Sequence, residues 1–153
     1  MGSRKFVTVN HHQAEISDDP LNIVLARMVE MATSMGVNSD YVKDWAFHAC
    51  FTGDSLSFIL DTTRDGSIDE DTAVAVVEAA RERILAIGDV HPEMVADWKL
   101  HLEGEPLTRN TVCEGSLRGN RTVRVSRLLE VVDWLQKALR WLPEAEYDQV
   151  IGS

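Results

Sequence analysis

From Val123 to Leu142 apolar residues recur in steps of three and four: Val125, Leu128, Val132, Leu135, Leu139 and Leu142. That spacing keeps them on one face of an α-helix. Val131, Trp134, Ala138 and Trp141 form a second seam beside the first. One neighbouring helix cannot cover two adjoining seams, so this helix is expected deep in a bundle or against a partner chain. Pro143 stops it, because proline cannot continue the backbone hydrogen-bond ladder.

Similar patterns recur upstream. Asp18-Asp19-Pro20 announces a helix whose stripe is Leu21, Val24, Leu25, Met28, Ala32 and Met35, with Gly36 as its stop. A second starts at Ser39 and turns Val42, Trp45, Ala46 and Ala49 inward. A third runs from Asp69 to Ile87 with Ala73, Val76, Val77, Ala80 and Ile84 buried. A fourth follows Pro92, with Val95, Trp98 and Leu102 inward, and Thr108 is a good N-cap for a fifth that ends near Arg118. Only Lys5 to Asn10 reads as a strand, being β-branched and alternating. The expected architecture is all-α: a compact bundle of about six helices with one short N-terminal strand. At 153 residues and 44% apolar the chain is one domain in size. Its expected layout is an N-terminal arm (1–17), an acidic helical body (18–90), a segment ending in the long helix (91–142) and a tail (143–153).

Candidate catalytic motifs do not assemble. Gly53-Asp54-Ser55-Leu56 resembles the motif of the GDSL hydrolases, whose serine needs an Asp-x-x-His partner; Asp89-Val90-His91 is one residue short of it. Asp61-x-Thr63-x-Asp65-Gly66-Ser67-Ile68-Asp69 resembles an EF-hand loop, but the twelfth position is Thr72, where calcium normally takes two oxygens from a glutamate. The plainer reading is an Asp/Gly-rich turn leading to a helix N-cap. His11-His12, Asp44/His48 and Asp97/His101 read as surface pairs. No enzyme activity, metal or cofactor is expected. No apolar run is long enough to cross a bilayer, and Cys50 and Cys113 lack metal-ligand spacing, so a cytoplasmic protein is expected.

The charge is uneven. Residues 107–142 hold seven basic against three acidic side chains, a balance of +4, so the net −10 of the chain leaves −14 elsewhere. A basic segment on an acidic body suggests one surface facing an anion. Within it, Thr111-Val112, Leu117-Arg118-Gly119-Asn120-Arg121 and Ser126-Arg127-Leu128-Leu129 resemble the lambda-repressor-like helix-turn-helix family, and Glu93–Asp97 is similar to the first helix of its pair. The resemblance covers residues 92–142. It implies a recognition helix whose Arg109, Asn110 and Thr111 meet base edges, with Arg118, Asn120, Arg121 and Arg124 on phosphates.

The function expected from these residues is DNA-binding regulation, with duplex DNA as partner and a homodimer through residues 125–142 compatible with it. The alternative is a non-enzymatic acidic interaction protein: an inhibitor, immunity factor or adaptor, in which Trp134 and Trp141 anchor a protein partner. Neither reading involves a membrane.

Overall fold

A computed structural model describes residues 4–37, 41, 45, 57–62, 68–91, 99–102, 105–108, 121–140 and 150–152. The fold is mixed α/β, not an all-α bundle of six helices. Strands β1 (Arg4–Val9) and β2 (His12–Ser17) form an antiparallel hairpin, and β3 (Ser57–Leu60) joins β1 in parallel, giving the order β2-β1-β3. Three helices are described: α1 (Asp18–Ser34), α2 (Glu70–Ile87) and α3 (Val125–Leu139). A second, two-stranded sheet pairs β4 (Lys99–Leu102) with β5 (Glu105–Thr108), and β4 lies beside α1.

The physical reasons for the correction are local. His12, Ala14 and Ile16 alternate inward along β2, a period-two pattern carried by a histidine and an alanine, which a hydropathy reading takes for a polar loop. Residues 1–17, expected as an arm, therefore contain the hairpin that floors the core. Ser57–Leu60 is a four-residue apolar run, too short for periodicity to tell strand from helix. Lys99–Leu102 is expected in a helix because Val95, Trp98 and Leu102 fit a helical step; antiparallel pairing with Glu105–Thr108 prevails instead.

The sheet has two unlike faces. Lys5, Val7, Val9, Ala14, Ile16, Phe58 and Leu60 point into the core, whereas Phe6 and Ile59 remain exposed on the outer side. The helices cover the inner face. Leu21, Val24, Leu25 and Met28 of α1 meet Val76, Val77, Ala80 and Ile84 of α2 in one continuous core. Helix α3 packs against both α1 and α2, which is how its two seams are covered: Leu128, Val131, Val132, Trp134, Leu135, Ala138 and Leu139 are all buried. Tyr41 and Trp45 are helical, and Trp45 is buried. Among the described residues no helix is long and apolar enough to cross a membrane.

Two polar features tie the layers. Asn10 takes a φ of +54° in the β1–β2 turn, a left-handed backbone that asparagine tolerates better than most residues. Its Oδ1 accepts from Thr62 N at 2.8 Å and Thr62 Oγ1 at 3.1 Å, pinning the hairpin tip to the end of β3. At the other end of β1, the buried ammonium of Lys5 donates to Asn22 Oδ1 at 2.5 Å and stands 3.6 Å from Asp18 Oδ1. Both partners are on α1 and are themselves buried. Burial pushes the Lys5 pKa down from its ordinary 10.5 to about 8, against the opposing pull of Asp18. Beyond β2, Ile151 forms a single parallel bridge with Ile16. Gly152 there adopts a φ of +77°, where a Cβ would come within 3.2 Å of both Pro20 and Val131.

Two outcomes are expected. Asn10→Gly keeps the left-handed backbone but loses the Thr62 contacts; Asn10→Ala loses both and should be less stable than Asn10→Gly by about 1 kcal/mol in urea unfolding. For Lys5, the folded state holds its proton less tightly than the unfolded chain, so the cost of burying the charge is full below pH 8 and is relieved as pH rises toward 10.5. Wild type should therefore gain stability relative to Lys5→Met across that window, by up to about 3 kcal/mol. A constant difference between the two proteins from pH 8 to 10.5 would refute this assignment.

Candidate nucleic-acid interface

The basic segment enters the described structure at Arg121, just before α3. Its position there is set by two backbone hydrogen bonds between Val90 and Val123, 2.9 and 2.8 Å long, which form an isolated antiparallel bridge. Val90 is buried, so its neighbours in the bridge alternate outward. Antiparallel pairing then sets Asp89 opposite Arg124 and His91 opposite Thr122. Asp89, His91, Thr122 and Arg124 are all exposed, as the alternation requires.

Two side-chain contacts fix this face. Asp89 Oδ1 accepts from Val125 N at 2.9 Å and so caps α3 from a distant part of the chain. Arg124 is the N-cap position by backbone geometry but offers no side-chain cap of its own, which is why the carboxylate comes from elsewhere. His91 Nδ1 lies 2.7 Å from Thr122 Oγ1. Asp89 satisfies one of the backbone N–H groups left open at the start of α3.

Arg121 and Arg124 are exposed and make no ion pair among the described residues. Most of the other described arginines are engaged. Arg81 pairs with Asp133 at 2.5 Å, Arg83 with Glu30 at 2.8 Å, Arg127 with Glu130 at 3.2 Å and Arg4 with Glu15 at 3.3 Å. Lys137 and Arg140 also lack such a partner among the described residues, but they stand at the far end of α3, about 20 Å away at 1.5 Å per residue. Among the described residues, the cations without ion pairs near the bridge are thus Arg121 and Arg124.

The other expected contact residues, Arg109, Asn110, Thr111, Arg118 and Asn120, lie outside the described residues, as does Trp141. The segment that holds them is anchored at both ends, by Thr108 in β5 and by Val123 in the bridge. Trp134, expected as a partner anchor, is fully buried between the helices, and its indole N–H has no hydrogen-bond partner among the described residues. Sequence reasoning also missed Asp89 and His91 as parts of this face. Their only sequence signal was the fragment Asp89-Val90-His91, whose alternation reveals a strand-like rung only once Val123 is seen opposite.

Around the EF-hand-like stretch, residues 63–67 lie outside the described residues. Asp69 accepts from Thr72 N at 2.9 Å and from Thr72 Oγ1 at 2.7 Å, capping α2. Those bonds hold its carboxyl below the ordinary aspartate range. No group of three or more metal-binding side chains occurs among the described residues. No family model, curated protein or solved structure matches the chain.

Asp89→Ala should lower stability by about 1 kcal/mol through loss of the cap, while Asp89→Asn, which keeps an acceptor, should lose less. Equal melting temperatures for wild type and Asp89→Ala would show that the cap contributes nothing.

Proposed function

We propose that the protein is a DNA-binding regulator that grips duplex DNA through its cationic segment, residues 108–124. One observation carries the reading: Arg121 and Arg124 are solvent-exposed and without ion pairs among the described residues, whereas Arg4, Arg81, Arg83 and Arg127 each pair with a carboxylate. Guanidinium groups in that state can displace counterions from phosphate, the main source of affinity for a polyanion. The excess acid elsewhere would repel the duplex and so orient the approach, leaving the bridge face as the point of contact.

Lys99–Leu102 is a strand, so the front helix expected over Pro92–Glu103 is not continuous through it. A two-stranded ribbon leads into the basic segment instead, and a ribbon of that kind also fits the major groove. The competing interaction-protein reading drew on the acidic charge outside the basic segment and on Trp134 and Trp141; Trp134 is buried, so the charge is what supports it among the described residues.

Fluorescence anisotropy with a labelled duplex tests the reading. Binding should weaken with salt, and Arg121→Glu/Arg124→Glu should lower affinity at least about tenfold and reduce the salt slope by about two. Failure to bind duplex at low salt, or unchanged binding by the double variant, would overturn it.

A further inference from the structure

We propose that Val150–Gly152 guards the outer edge of β2, and that a second copy of the chain pairs with that edge, β2 against β2, when the guard is absent. The bridge to Ile151 shows which backbone groups face outward. Ser17 N donates to Ile151 O and Ile151 N donates to Glu15 O, both at 3.0 Å, so Glu15 and Ser17 turn their backbone groups away from β1. In an antiparallel ladder the residues that do so alternate, and each turns its N–H and C=O to the same side. Gln13 therefore presents its N–H and C=O to this edge, and Glu15 its N–H. Among the described residues none of these groups has a backbone partner.

Two copies of β2 complement each other there. Run antiparallel about a twofold axis at Ala14, each strand sets its Gln13 opposite the partner's Glu15. Gln13 N–H then meets the partner's Glu15 C=O, and Glu15 N–H meets the partner's Gln13 C=O. Centring the axis on Glu15 would instead set like charges on one rung. The guard and the second copy exclude each other, because Glu15 C=O is the acceptor for both. Neighbouring strands lie about 4.8 Å apart, so Ile151 stands where the second β2 would run.

The slot under the guard fits these residues closely. Ile151 is buried, and Gly152 N donates to Glu130 Oε2 at 3.2 Å. A Cβ on Gly152 would stand 3.2 Å from Pro20 Cβ and Val131 Cγ2, and the φ of +77° disfavours any side chain. A branched residue at position 152 thus expels the guard without altering β2.

Light scattering over a concentration series reaching about 1 mM tests this on wild type, Gly152→Val and a chain ending at residue 149, each with and without Gln13→Pro. Proline at position 13 removes an outward N–H and leaves the ladder to β1 intact. A far-UV spectrum and a thermal melt check that every variant keeps the fold. Relative to wild type, the molar mass should double in Gly152→Val and in the shortened chain, and Gln13→Pro should restore the wild-type value in both. Amide exchange should then show Gln13 and Glu15 protected only where the mass has doubled. Unchanged mass in the shortened chain overturns the proposal, as does a doubling that survives Gln13→Pro. Doubling in the shortened chain but not in Gly152→Val upholds the guard and shows that the slot stretches to admit valine.

Discussion

An ammonium group sealed from water must be met by charge and by hydrogen-bond acceptors, and meeting the needs of Lys5 fixes how the first helix sits on the sheet. Asp18 and Asn22 lie one turn apart at the start of α1, and both must face β1. That sets the rotation of α1 about its axis, which in turn points Leu21, Val24, Leu25 and Met28 toward α2 and α3. Since β2 runs directly into α1 with no intervening residue, the hairpin and helix form one joined unit around this polar point. A leucine in place of Lys5 would bury more easily but would select no particular rotation. The polar cluster thus trades stability for a defined arrangement.

Packing on this frame explains what could be read from the residues and what could not. The long helices were legible because each carries many apolar positions in one register: the seams of α3, the alanine-rich stripe of α2 and the stripe of α1 each repeat over four or more turns. The strands were illegible for the opposite reason. β2, β3 and β4 span four to six residues, and their inward positions include His12, a residue that hydropathy assigns to the surface. What makes them strands is the partner across the ladder, a non-local fact that no window of sequence contains. An all-α expectation followed from counting only what periodicity can see.

The same distinction holds at the cationic face. Charge imbalance pointed to the neighbourhood of Arg121 and Arg124, since it is a property of composition. The carboxylate that caps α3 and the histidine beside Thr122 come from positions 89 and 91, joined to the segment only through the Val90–Val123 bridge. The helix-turn-helix likeness was built on consecutive letters, most of which lie outside the described residues; Lys99–Leu102, expected in a helix, is a strand. An attraction for phosphate needs exposed cations more than it needs any particular motif.

The bridge between Ile16 and Ile151 has a kinetic side. Two hydrogen bonds of 3.0 Å, from Ser17 N to Ile151 O and from Ile151 N to Glu15 O, hold it, with Gly152 N reaching Glu130. Closing so long a stretch of chain for so few contacts is entropically unfavourable until the rest of the core has formed. The bridge also covers part of an edge of β2 that would otherwise stand open to pairing with foreign strands.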